Sequence, residues 1–157
     1  LRENENFAPE IVVQLRPTSP FRRVIHIEES IRLLRATPDA TAVRAVCVPS
    51  QNPYKMYSLN EAGFLAPLVP GFGLEPLPRQ SLPTALWHNG YIDTMRSRVI
   101  LEENSMAGTR ILPLKMSDDD MIDLDTPHDW NHAETLLDSG ALRVEEFGFS
   151  MSTQGRN

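Results

Sequence analysis

Apolar residues fall in short blocks along this chain, set apart by clusters of proline, glycine and charge, and the blocks differ in period. In "VVQLRPTSPFRR", residues 12–23, the β-branched run of Val12 and Val13 ending in Leu15 reads as a buried strand that Pro17 and Pro20 forbid from continuing. In "IEESIRLLRATP", Ile27, Ile31 and Leu34 recur at helical spacing, with Glu28 and Glu29 near the start and Arg32 and Arg35 later, as the helix dipole favours. "TAVRAVCVPS" then gives a second apolar strand. Strand, helix and strand in that order predict a βαβ unit with a right-handed crossover, and hence a parallel sheet.

From Gln51 the texture changes. "NPYKMYSLNEAGFLAPL" predicts a hairpin of Tyr54 to Leu59 and Phe64 to Leu68 turning at Asn60 to Gly63. Five of the 13 prolines then lie between Pro67 and Pro83, which excludes regular structure and predicts either a lid-like loop or an arm, about 52–80, that packs on a neighbour. Leu65, Leu68, Val69 and Phe72 give such an arm an apolar surface, which points to a homodimer. "ALWHNGYIDTM" resumes as a strand, "MRSRVILEEN" as a short helix, "TRILPLKM" as a strand and "MIDLD" as a brief strand. A closing helix starts with Thr126 as N-cap and Pro127 at its first position and runs to Gly140. Residues 1–149 are thus expected to form the domain and 150–157 a frayed tail.

Composition narrows the class. A length of 157 residues with 41% hydrophobic residues suits one α/β domain with a real core. The formal net charge of -6, with scattered arginines and the acidic stretch Ser117 to Asp125, argues against a nucleic-acid partner. The single cysteine, Cys47, cannot form an internal disulfide and reads as a small core hydrophobe, which suits a reducing cytoplasm. No apolar run is long enough to span a membrane, so no membrane partner is expected. The opening "LRENENFAPE" reads as a helix end plus a loop, so a preceding segment is expected.

Several residues could carry chemistry. Thr18 and Ser19 stand at the end of a strand, where open α/β sheets bind ligands, although an ordinary strand-to-helix turn would look alike. Asp123 and Asp125 flank Leu124, and in a strand they would project from one face roughly 6 to 7 Å apart. A hard cation such as Mg²⁺ would relieve their repulsion and could hold phosphate oxygens, whereas the other reading is an exposed acidic turn. His128 and His132 have zinc-site spacing on the last helix, but H-D-W-N-H lacks the metalloprotease glutamate. The helical wheel also sets both opposite the stripe of Trp130, Ala133 and Leu137, which favours a solvated pair. Asn89-Gly90 interrupts an apolar strand, as glycine does where a ligand or backbone comes close. Arg79 and Lys55 could each clamp a carboxylate or phosphate, or be ordinary surface cations. No Gly-rich phosphate loop occurs in the sequence.

Four separated stretches, "LRPTSPFR", "NPYK", "RQSLP…NG" and "IDLDTPHDWNHAE", together resemble the acylneuraminate cytidylyltransferases, the CMP-sialic acid synthetases, in order and approximate spacing. The resemblance runs from about Glu10 to Leu137 and corresponds to the C-terminal two-thirds of that family's domain. It implies a three-layer, Rossmann-like nucleotidyltransferase fold with a mostly parallel sheet, a missing N-terminal part and a projecting dimerisation arm. It also implies a reaction, transfer of CMP from CTP to the anomeric hydroxyl of a sialic-acid-like α-keto acid sugar, with release of pyrophosphate. By similarity Asp123 and Asp125 are catalytic Mg²⁺ ligands, Lys55 and Arg79 meet the substrate carboxylate, reaching the partner subunit of a dimer, and Asn89 contacts the sugar beside Thr18 and Ser19. The chain departs from the pattern at Arg16, where the family has glutamine, at Asp93, where it often has an aromatic, and at Ser105-Met106, where an aromatic pair is common. All three lie on the sugar side and bear on the acceptor, so a KDO-type nucleotidyltransferase is the alternative. The family's Gly-rich CTP loop is absent from these residues, so the chain alone is expected to be inactive, and a non-catalytic binding or oligomerisation module is the alternative from another class.

Overall fold

Proline decides where the first strand stops: β1 covers Ile11–Gln14, and the chain re-enters regular structure only at α1, Val24–Ala36. The computed structural model describes residues 7–75, 77–117 and 122–142. After α1 come β2 (Ala42–Cys47), β3 (Tyr57–Leu59), β4 (Leu65–Pro67), β5 (Trp87–Arg96), α2 (Ser97–Glu103), β6 (Ile111–Lys115) and α3 (Pro127–Asp138), with short 3₁₀ turns at Pro53–Lys55 and Arg79–Ser81. The chain divides into two compact units, one made of the residues up to Val46 and from His88 onward, the other of Cys47–Trp87.

In the first unit the strand order is β1-β5-β2-β6. β1 pairs antiparallel with β5, Ile11 opposite Arg96 and Gln14 opposite Asp93. β2 pairs parallel with β6, Ala42 opposite Ile111 and Val46 opposite Lys115. The Arg96 N–H, at the end of β5, donates to Thr41 O just before β2 at 3.1 Å, and Asp93 faces Arg44, so β5 is antiparallel to β2 as well. The sheet is therefore mixed, with antiparallel pairing predominating, and not mostly parallel as the βαβ pattern predicts. The physical reason lies in the connection. β1, α1 and β2 keep the crossover direction, but β5 arrives from the Cys47–Trp87 unit without a crossover helix and inserts between them in the opposite sense.

Alternation along the strands builds two cores. Leu34 of α1, Val43, Ala45, Tyr91, Ile92 and Leu114 fill one face, with Ile27 and Leu33 packed against them. Ala42, Met95 and Ala107 form the other, packed by Val12 and by Ile100 of α2. Two buried hydroxyls, Ser30 Oγ and Thr94 Oγ1, meet at 2.7 Å where α1 crosses β5. α1 starts earlier than the periodicity suggests and has no acidic residue in its first turn; Glu29 instead pairs with Arg32 at 2.6 Å. Its C-terminal end is closed by Arg96, which donates to Leu34 O at 2.8 Å, Thr37 O at 3.3 Å and Ala40 O at 3.0 Å, a cation against the negative end of the helix dipole.

α3 begins as the sequence predicts, with Thr126 and Asp129 forming a reciprocal capping box and Pro127 in the first turn. Hydrogen bonds from Thr126 hold the Asp129 carboxyl below its ordinary pKa. Ala133 is buried, but Trp130 is 57% exposed, its indole donating to Glu134 at 3.1 Å, so it does not join the packed stripe. The predicted strand at "MIDLD" does not form over Ile122–Asp125, and Met121 lies outside the described residues, as do the first six residues and the expected tail.

In the second unit β3 and β4 form the predicted hairpin, Tyr57 opposite Pro67 and Leu59 opposite Leu65. Asn60 Oδ1 closes it by accepting from the N–H groups of Ala62 and Phe64. Phe72 packs on Tyr54 with ring centroids 4.5 Å apart, while Leu59, Phe64, Leu65, Leu68 and Leu74 are more than half exposed. Among the described residues no helix is long and apolar enough to cross a membrane.

Arg96→Ala would leave two carbonyls at the end of α1, those of Leu34 and Thr37, and that of Ala40 beyond it without their charged donor. It should lower stability in urea by about 2–3 kcal/mol, the worth of hydrogen bonds to a charged group, and Arg96→Lys should recover only part of the loss.

Candidate functional site

Where β1 ends, the chain cannot continue as a ladder, so residues 15–23 turn across the ends of the strands. The Ser19 N–H returns to Arg16 O at 3.4 Å. β5 fixes the far side of this loop through one residue. The Arg23 N–H donates to the Tyr91 hydroxyl at 2.9 Å, that hydroxyl reaches Phe21 O at 3.4 Å, and Arg22 Nε donates to Tyr91 O at 2.7 Å. Arg22 Nη2 also donates to Arg16 O, and the guanidinium carbon lies 5.8 Å from the Tyr91 ring centroid.

The loop in turn meets the segment before α3. The Leu124 N–H donates to Thr18 O at 2.7 Å, and the buried Ser19 Oγ donates to Asp123 Oδ1 at 3.3 Å, across 104 residues of sequence. Ser19, Asn89, Tyr91, Ile122 and Asp123 line one crevice, too tight for a water molecule. Asn89 is 6% exposed; its Oδ1 accepts from the Tyr91 N–H at 3.1 Å, while its buried Nδ2 has no hydrogen-bond partner among the described residues. A buried amide donor left unmatched is costly.

Charge in the crevice is balanced locally. Burial lowers the Arg22 pKa, and Tyr91 and Asp123 oppose the shift, so the guanidinium stays charged beside the carboxylate. Asp123 is half-buried and Asp125 exposed. They flank Leu124 in irregular chain rather than in a strand, so the alternation that would set both on one face is not what places them. Among the described residues no group of three or more His, Cys, Asp and Glu side chains is arranged to hold a metal ion. Two carboxylates nevertheless fit Mg²⁺, which keeps several waters and uses one or two carboxylates plus substrate phosphates rather than a full protein cage.

The remaining candidates lie elsewhere. Asp93 is buried on β5 with His88 Nε2 at 2.9 Å and Arg44 Nε at 3.2 Å from its Oδ1, the arginine contact being misaligned for a hydrogen bond. Arg16 lays its guanidinium over Gly90, where a Cβ would sit 2.5 Å from Nη1. The close approach signalled by this glycine is thus made by a side chain of the same chain. In the second unit Lys55 follows Asn52, whose Oδ1 accepts from the Tyr54 N–H at 3.0 Å, and it lines a cleft with Tyr57 and Leu74. Arg79 lines a different cleft with Asn52 and Pro83, its Nη2 3.4 Å from Pro49 O. His128 and His132 are both exposed on α3.

Of the sequence candidates, then, Thr18, Ser19, Asn89 and Asp123 come together in the first unit, where Asp93 faces His88 and Arg44 instead, and Lys55 and Arg79 belong to the second unit. Arg22 and Tyr91 were not among the expected site residues. The paired arginines directly after the proline bracket were the available signal for Arg22, whereas Tyr91 reads as an ordinary strand aromatic. No family model matches the chain.

Gly90 has a φ of +73°, so Gly90→Ala should cost roughly 1–3 kcal/mol. The exposed Arg16 guanidinium can swing aside, so adding Arg16→Ala should leave that cost unchanged within about 0.5 kcal/mol in a urea double-mutant cycle.

Proposed function

We propose that this chain is part of a sugar cytidylyltransferase of the acylneuraminate type, transferring CMP from CTP to the anomeric hydroxyl of a sialic-acid-like α-keto acid sugar and releasing pyrophosphate. The observation that carries this reading is the contact of Ser19 Oγ with Asp123 Oδ1, reinforced by the Leu124 N–H on Thr18 O. Two of the stretches on which the resemblance rests, far apart in sequence, meet at one crevice, with the unmatched amide of Asn89 from a third. A Rossmann-like three-layer fold is the finer architecture we attach to the mixed sheet with α1 on one face and α2 on the other. A nucleotide triphosphate donor and a single buried cysteine fit a cytoplasmic enzyme.

In this reading Asp123 and Asp125 hold Mg²⁺, which when bound neutralises phosphate charge. Ser19 orients the Asp123 carboxylate through its hydroxyl, and Arg22 supplies a fixed positive charge beside it. Asn89 contacts the sugar, as the resemblance implies. Asp93, whose oxygens already face His88 and Arg44, has less to offer a sugar, so acceptor choice falls more to Arg16. Lys55 and Arg79 serve the substrate carboxylate from the second unit, in a homodimer to which the exposed Leu59, Phe64, Leu65 and Leu68 contribute apolar surface.

The test is pyrophosphate release from CTP with sialic- and KDO-type acids, in a chain extended ahead of Leu1 by a Gly-rich nucleotide loop. Asp123→Ala or Asp125→Ala should lower the rate roughly 10- to 100-fold or more, since even groups behind metal ligands cost that much. His128→Ala with His132→Ala should leave it within about twofold, because imidazoles exposed on α3 leave the crevice unchanged. Activity that survives the aspartate changes and is lost with the histidines would overturn the assignment. Sedimentation should show a two-fold assembly that becomes monomeric when residues 60–76 are deleted; a monomer in the intact chain would count against the arm.

A further inference from the structure

We infer that the Tyr91 hydroxyl is a positioning group for the Asp123 carboxylate, acting through the loop of residues 16–23; the inference rests on the reading of Asp123 as a metal ligand. Tyr91 is 2% exposed and its ring belongs to the core around Leu34 and Ile92. Packing alone would be served equally by phenylalanine. The hydroxyl is the part that needs another explanation. It accepts from the Arg23 N–H at 2.9 Å, reaches Phe21 O at 3.4 Å and lies 3.3 Å from His26 Nδ1. The main chain of the same residue accepts from Arg22 Nε at 2.7 Å, and Arg22 extends to Arg16 O. One residue of β5 thus ties down the loop at 21, 22 and 23 and, through the arginine fork, at 16.

Between those ties lie the two groups that touch the aspartate segment, Thr18 O on the Leu124 N–H at 2.7 Å and Ser19 Oγ on Asp123 at 3.3 Å. A shift of the loop by a few tenths of an ångström would lengthen both contacts together, since Pro17 and Pro20 stiffen the span that carries them. The loop is otherwise irregular chain without a strand partner, so side-chain anchors set its position. Tyr91 and Arg22 are the anchors, and Asp123 is what they place. Arg22 qualifies through its fork of two N–H donors to two carbonyls, a geometry lysine cannot reproduce.

The experiment uses the whole chain with Tyr91→Phe, and Arg22→Lys as a second variant, reading amide hydrogen exchange residue by residue and Mn²⁺ binding by paramagnetic resonance. In Tyr91→Phe the Leu124 amide should exchange roughly tenfold faster, as loss of a supporting hydrogen bond implies, while the Val43 and Ala45 amides in the core of β2 stay unchanged. Mn²⁺ affinity should fall several-fold in both variants and be abolished in Asp123→Ala. Unchanged exchange at Leu124, or an equal rise at Leu124, Val43 and Ala45, would overturn the inference, the latter because it reports only lost global stability. Wild-type Mn²⁺ binding that does not need Asp123 would overturn the metal reading instead, and the exchange pattern would still decide whether Tyr91 positions the segment.

Discussion

A ten-residue strand, β5, runs between β1 and β2 and supplies the ladder that both depend on. Its antiparallel insertion is the constraint from which the rest follows. It sets Thr94 against Ser30 under α1 and Met95 against the opposite core. It also brings Arg96 to the Leu34 and Thr37 carbonyls at the end of α1. At its other end the same strand presents Asn89 and Tyr91 to the loop that leaves β1. The strand cannot slip by one residue without reversing which side chains face each core, so the register that packs the sheet also fixes the candidate site.

The site is a meeting of irregular segments held by that regular element. Neither the loop of residues 15–23 nor Ile122–Asp125 has a ladder of its own, and each is ordered by a few specific hydrogen bonds to the other or to β5. Such an arrangement concentrates polar groups, a buried amide, a hydroxyl, a carboxylate and a guanidinium, at the end of a sheet. On the proposed reading those groups serve an oxygen-rich, anionic substrate and a hard divalent cation.

Much of this was legible in residue order because it is written in local chemistry. Thr126-Pro127 with Asp129 spells a capped helix start, Asn60 to Gly63 a hairpin turn, and Pro17 with Pro20 a strand end. The direction of β5 was not legible, because hydrophobic period reports burial and not which way a strand runs beside its neighbours. Ile122 and Leu124 bracket Asp123 with apolar residues and so imitate a strand, yet one backbone bond to Thr18 and no ladder is what forms there. Asp93 enters through the resemblance, as a departure from its pattern, and its contacts with Arg44 and His88 are not visible in spacing. Tyr91 reads as an ordinary strand aromatic because its contacts to main chain are not announced by side-chain identity.

On the proposed reading the loop after β1 and the segment before α3 act as one site rather than as two neighbouring turns. A double-mutant cycle of Ser19→Ala and Asp123→Ala, read as unfolding free energy in urea, tests it most directly. A shared site predicts a coupling of at least about 0.5 kcal/mol between the two changes, and additivity within about 0.3 kcal/mol would contradict it.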